Sequence, residues 1–178
     1  MSLDMPRLPL IDDNSDPRIA SVYEALQAGG HKGFPNLSRL LGHAPAMLKA
    51  WTGLAWPLRN EAETPRALRE LMILRGAQIM DANYEWTHHV PMALAAGATQ
   101  EKIDALADWR ASDLYAPDER AALRLADEIT HGPGASAEAI AEARTFFDER
   151  GIVELVLTSS FYACVGRVLH SLDAPLEK

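Results

Sequence analysis

Apolar positions recur at spacings of three and four along almost the whole chain, the period of helices with one buried face. No stretch alternates apolar and polar residues for more than a few positions, and no block repeats at a fixed period. The pattern predicts an all-α protein. Residues 1–14 read as an extended, proline-containing arm. Ser15 or Asp16 with Pro17 marks a helix start, a capping oxygen followed by a ring whose missing N–H costs nothing there. That helix, through Ile19, Val22, Tyr23 and Leu26, is expected to stop at Gly29 and Gly30, with a loop over 31–35. Short and longer helices follow over Asn36 to Leu41 and Ala44 to Trp56. Thr64 and Pro65 open a helix from Arg66 to Met80, and the next begins near Ala82 and ends at Gly97. Thr99 caps a short helix to about Trp109. Further helices are expected from Pro117 to His131, Ser136 to Arg150, and Ile152 to Leu172. The segment from Thr64 to Gly97, broken near Asp81, reads as a central helical hairpin. With 178 residues and no low-complexity linker, one domain over 1–178 is expected.

Charge narrows the range of partners. A net charge of −8 repels a phosphate backbone, so nucleic acid is not an expected partner. No Lys/Arg cluster is present to hold an anionic membrane surface. The run from Met1 to Pro6 lacks a basic region followed by an apolar one, so no targeting segment is expected. The most apolar stretch, Gly151 to Leu169, is interrupted by Glu154 and Arg167 and reads as a buried core helix rather than a membrane span. One cysteine, Cys164, excludes an internal disulfide or a redox pair and suits a reducing cytoplasm. Among Phe161, Val165 and Val168 it reads as a small buried hydrophobe.

The candidate chemistry is concentrated in Tyr84-Glu-Trp-Thr-His-His89. On a helix, Glu85 lies beside both His88 and His89, three and four residues on. The two histidines diverge by roughly 100°, so they cannot serve one point equally. Glu70 has Ile73, Leu74 and Ala77 as its helical neighbours. If that face is buried the carboxyl should be desolvated and its pKa raised, as suits a proton donor; if instead it pairs with Arg66 four residues back, it is an ordinary solvated carboxylate. Pro91 removes one helical hydrogen bond just past the histidines, and a kink is expected there. A second Glu-x-x-His, Glu128 to His131, opens a metal reading: Glu85/His88 and Glu128/His131 as paired motifs, with Glu70 and Glu154 as further ligands of a di-iron bundle. Against it, His131 sits at a helix C-terminus, where its charge suits the dipole without any metal. Neither the His-Glu-x-x-His of a zinc protease nor a Gly-x-Ser-x-Gly elbow nor a glycine-rich phosphate loop is present. The four tryptophans, with Phe161 and Tyr162, read as core or interface fillers.

Leu-Arg before the hairpin turn, Tyr-Glu-Trp-x-His-His-x-Pro, and the following Ala-Gly-x-Thr, all between Arg69 and Ile103, resemble the core of the carboxymuconolactone decarboxylase family, whose superfamily includes alkylhydroperoxidase D. The resemblance implies an AhpD-like helical bundle, oligomeric as a trimer or hexamer, with the family core over about 45–110. In the peroxidase branch the hairpin carries Cys-x-x-Cys-x-x-x-His. Here the cysteine positions fall on Ala82 and Glu85, the histidine on His89 and an upstream glutamate on Glu70. Neither Ala nor Glu can attack a peroxide or close a disulfide, so a thiol peroxidase is not expected. The decarboxylase branch implies a cofactor-free lyase or isomerase in aromatic-compound breakdown, acting on a small anionic, lactone-like substrate. In that reading Glu70, Glu85, His88 and His89 handle protons, with His89, oriented by Glu85 or Glu70, as the acid that protonates carbon, and Arg75, Arg167 and Tyr84 bind substrate. No metal is required. The alternative is a non-catalytic oligomer that keeps the pocket for a ligand.

Overall fold

The computed structural model describes residues 6–12, 17–28 and 35–177, and among these it contains helices and no strand. The helices are α1 (Pro17–Ala28), α2 (Asn36–Leu41), α3 (Pro45–Asn60), α4 (Arg66–Ile79), α5 (Asn83–Ala95), α6 (Gln100–Asp104), α7 (Pro117–His131), α8 (Ala137–Ala143) and α9 (Glu149–Leu172), with a 3₁₀ turn at Ala105–Asp108. The expected Ser15/Asp16 cap, the stop at Gly29 and Gly30, and most of the 31–35 loop lie outside the described residues. The chain divides into two compact units, 1–57 with 168–178, and 58–167.

In the first unit, Ile19, Val22 and Tyr23 of α1 pack with Leu48 of α3, and Ile11 and Leu41 close the cluster. The arm is not helical over 6–12, and it is pinned: the Arg7 amide donates to the Leu172 carbonyl at 3.0 Å, and Arg39 Nε donates to the Ile11 carbonyl at 2.9 Å.

The second unit is built around the α4–α5 hairpin. Leu68 and Met72 of α4 meet α7 and α9 through Leu125, Ile129 and Leu155, while Leu71 and Leu74 meet Ala93, Ile103, Leu106 and Leu123. Because α4 packs on two sides, even its polar Arg69 and Glu70 are buried. The hairpin turn has a definite cause. Asp81 adopts φ 52°, the Ala82 amide reaches back to the Ala77 carbonyl at 2.9 Å, and the Asp81 amide to Gln78 at 3.2 Å. This is the paired closure that ends a helix with one left-handed residue, a conformation aspartate tolerates better than most side chains. Gly97, at φ 99°, ends α5 the same way.

Several boundaries differ from expectation. Thr64 does not cap α4: Pro65 holds the cap position, and the Thr64 hydroxyl accepts from Arg69 at 3.1 Å and donates to Glu154 at 2.9 Å instead of accepting from a helix amide. The helix expected from Ser136 to Arg150 ends at Ala143, and α9 starts at Glu149 rather than after Gly151. Asp148 supplies the cap, accepting from the Gly151 amide at 2.8 Å. Gly151 is thus a packing residue, not a break; a Cβ there would lie 3.2 Å from Phe147 Cβ. Helix α5 runs on through Pro91 to Ala95. Thr99 and Ser136 do cap α6 and α8. Helix α9 has the length and hydropathy of a membrane span, yet Leu155, Tyr162 and Val165 are buried within the fold. Cys164 corrects another expectation. It is exposed, because Val153, Leu157, Ser160, Cys164 and Arg167 follow the helical period along the outer stripe of α9.

Candidate active site

Glu70, Glu85 and His89 are all buried in the second unit, at 0%, 2% and 3% exposure. Helix α4 supplies the first and α5 the other two, one turn apart. His89 Nδ1 lies 2.7 Å from Glu70 Oε2, and Arg66, one turn before Glu70, forms an ion pair with Oε1. The Tyr162 ring of α9 stands edge-on to His89 with centroids 4.8 Å apart, and its hydroxyl accepts from Arg59 Nε at 3.0 Å.

The protonation states follow from these contacts. Burial alone would raise the Glu70 pKa, one of the two readings the sequence left open, the other being the pair with Arg66. The structure reverses that rise: the His89 hydrogen bond and the charges of His89 and Arg66 together hold it below the ordinary carboxylate value. Burial is the largest influence on His89 and lowers its pKa, outweighing the attraction of Glu70. A neutral imidazole beside an ionised carboxylate must donate from Nδ1. The tautomer is therefore fixed, with the lone pair on Nε2.

Glu85 is the opposite case. Neither of its oxygens has a hydrogen-bond partner among the described residues, and burial alone pushes its pKa up to about 8. It sits in the first turn of α5, whose positive end favours the ionised form. That effect reaches about 2 kcal/mol at most in a partly buried geometry, about 1.5 pKa units, so burial still prevails. At neutral pH the hairpin thus holds a base, His89, and an acid, Glu85, on adjacent turns of one helix.

The other expected site residues are placed elsewhere. His88 is half-buried, stacks on Tyr84 with centroids 4.3 Å apart, and its Nδ1 lies 2.7 Å from the Tyr84 carbonyl. Arg75 is not directed to Glu70. Its Nε donates to Asp127 at 2.6 Å, and it lines an open hollow of about 530 Å³ with Trp86 and His131 that includes none of Glu70, Glu85 or His89. Position 75 lies five residues past 70, on a different face of α4. Arg167 is exposed on the outer stripe of α9 and donates to the Ala163 carbonyl at 3.0 Å. The cations beside the dyad are instead Arg66 and Arg59. The spacing of Arg66 to Glu70 was visible in sequence, whereas Arg59 and Tyr162 arrive from helices 103 residues apart and left no local signal.

The di-iron arrangement does not assemble. Glu128 accepts from Arg124 and the Ser136 amide, Glu154 accepts from Thr64 and Arg150, and His131 is exposed. Among the described residues no group of three or more His, Cys, Asp or Glu is placed to share an ion.

Known proteins share this arrangement of helices. The model of the carboxymuconolactone decarboxylase family matches residues 45–128. The uncharacterized protein YdfG of Bacillus subtilis (strain 168) is 34% identical over 100 residues, 55% of this chain and 68% of that protein. The alkylhydroperoxidase AhpD core of a peroxidase-related protein from Ralstonia eutropha JMP134 superposes with a TM-score of 0.79 at 15% identity, covering 97% of this chain and 93% of the other. The debrominase Bmp8 in complex with 2,3,4-tribromopyrrole superposes at 0.77 with 20% identity, covering 99% and 92%. At these identities the solved structures establish an AhpD-like fold and nothing finer. By its sequence and its hairpin, the chain belongs to the carboxymuconolactone decarboxylase family.

Proposed function

We propose that the protein is a cofactor-free lyase or isomerase that moves a proton on a small anionic, lactone-like substrate, with Glu85 as acid and His89 as base. The observation that carries this reading is the pairing of opposites in one buried place. Glu70 fixes the His89 tautomer, while Glu85, one turn away, has no partner and stays protonated. In a decarboxylation, the bond to the substrate carboxylate breaks and its electrons pass into the unsaturated lactone as a dienolate. The Glu85 proton then goes to carbon, and solvent restores it by way of His89. In an isomerisation, His89 Nε2 takes the proton from one carbon, Glu85 gives one to another, and exchange with solvent then discharges His89 and reprotonates Glu85. Both sequences balance without a metal or an organic cofactor. Arg59 and Arg66, beside the dyad, replace Arg75 and Arg167 as candidates to hold the substrate anion. His88 and Tyr84, stacked on each other, are assigned to the wall of the site.

Thiol peroxidase chemistry is not part of the reading. The two positions of the peroxidase cysteines are Ala82 and Glu85, and Cys164 is a lone thiol on another helix. The reading includes a homo-oligomer, supported by the exposed apolar Val153 and Leu157 on α9.

The test is turnover of carboxylated unsaturated lactones in D₂O. Product carrying one deuterium at carbon is expected, with loss of that product in His89→Gln and Glu85→Gln. Binding of the same lactones with no exchange or CO₂ release would instead identify a ligand-binding protein.

A further inference from the structure

We propose that Gly166 and Met80 are positioning residues that close the chamber around the Glu85 carboxyl, with the Met80 thioether as its movable wall. The inference rests on the reading of Glu85 as proton donor and adds what keeps that donor out of water.

Gly166 is buried in α9, where it faces the hairpin turn. A Cβ built there would lie 2.9 Å from Glu85 Oε2 and 3.1 Å from Met80 Sδ, and closer still to the Met80 methyl. No real Cβ tolerates such approaches, so the carboxyl and the thioether are both seated against the bare Cα of this glycine. Gly166 has an ordinary helical backbone, with φ outside the left-handed region; the requirement is for space.

Met80 is held at this spot by the turn. It is the last residue before Asp81, whose left-handed conformation closes α4, and its amide donates to the Gly76 carbonyl at 3.0 Å. Its side chain is only half-buried and shares with the carboxyl the space left beside Gly166. An unbranched thioether with three rotatable bonds can fill this gap and also swing out of it. The titratable groups on the surrounding elements are Arg66, Arg69, Glu70 and Arg75 on α4, Asp81 in the turn, Tyr84, His88 and His89 on α5, and Glu149, Arg150, Glu154, Tyr162, Cys164, Arg167 and His170 on α9. None of them contributes to the shift at Glu85, whose cause is burial alone. Residues that exclude water are therefore the ones that can set it.

The experiment is a ¹³C NMR titration of the Glu85 carboxyl in the full chain, assigned against Glu85→Gln. The unsubstituted protein is expected to titrate near 8. Met80→Ala opens the wall and should lower the midpoint by at least one unit. Gly166→Ala should do so as well by displacing the thioether. Met80→Leu, of similar volume, should leave it in place. Should Gly166→Ala fail to fold, the Met80 pair decides alone. An unchanged midpoint in Met80→Ala, or an equal fall in Met80→Leu and Met80→Ala, overturns the proposal. The titration needs no substrate. If Glu85→Gln turns over normally, the acid role of Glu85 is lost while the seal remains measurable.

Discussion

Glu154 and Glu85 are both buried carboxyls in the same unit, and they are treated in opposite ways. Glu154 accepts from the Glu63 amide, the Thr64 amide and hydroxyl, and Arg150 Nε, all at 2.8–3.1 Å. These bonds overcome burial and pull its pKa down to about 2. Glu85 has no such donor, and burial pushes it to about 8. Asp127 belongs with Glu154: Arg75, Arg110 and the Trp109 indole N–H all donate to it. The fold therefore has the means to satisfy buried carboxylates and uses them where the role is structural. Leaving Glu85 without donors costs stability, and such a cost persists at positions that chemistry requires.

The largest expected effect breaks the comparison on the functional side. Glu85→Gln keeps the shape and removes the proton, so turnover should fall by about 10²–10⁴, the usual worth of a positioned acid or base. His89→Gln should fall by a similar factor. Glu154→Gln should leave kcat within about threefold. Steady-state rates of the three variants on one substrate decide the matter; equal losses in all three would mean that Glu85 is no more chemical than Glu154.

Stability should move the other way. Glu154→Ala strands four donors near the α4 start, at a cost of about 3–4 kcal/mol. Glu85→Gln should stabilise. Folded Glu85 titrates near 8 against 4.5 in the unfolded chain. Its contribution is fully present below about 4.5 and is lost as pH rises to 8, amounting at pH 7 to about 3 kcal/mol that the amide does not forfeit. Glu154, depressed to about 2, has the reverse sign: its contribution is present above about 4.5 and is lost as pH falls toward 2. Urea unfolding of Glu85→Gln at pH 5 and pH 8, and of Glu154→Ala at pH 3 and pH 6, each against the unsubstituted protein, measures the two windows. A Glu85→Gln gain that does not grow between pH 5 and pH 8 would contradict the unpartnered carboxyl.

How much of this was legible in the sequence depends on range. The all-helical architecture, the hairpin, the Thr99 cap, and the span of α7 follow from local periodicity and capping chemistry. The Glu70, Glu85, His89 set was legible as one face of two consecutive helices. The division of roles was not. Which carboxyl is satisfied depends on Arg66 and His89 reaching Glu70 before anything reaches Glu85, a tertiary outcome. Arg75 was misplaced because a single cation near a motif says nothing about Asp127, 52 residues away. Cys164 was misplaced because its apolar neighbours at 161, 165 and 168 flank an outward stripe. Thr64 followed the local rule for a cap, but its hydroxyl accepts from Arg69 and donates to Glu154, 90 residues on.

The smallest effect tests the comparison at the level of single donors. Thr64→Val removes one of the bonds to Glu154 and one acceptor of Arg69, and preserves the side-chain shape. The Thr64 amide, the Glu63 amide and Arg150 remain, and Arg69 keeps the Thr64 carbonyl as an acceptor. A net hydrogen bond is worth about 1 kcal/mol, so Thr64→Val should lose about that much by urea unfolding, and Glu154 should titrate somewhat higher yet stay below the ordinary carboxylate range. If donors add in this graded way, Glu85 is the zero-donor end of one scale. A loss in Thr64→Val as large as in Glu154→Ala would show instead that the Glu154 network fails as a unit, and the contrast with Glu85 would then be one of cooperativity rather than of donor number.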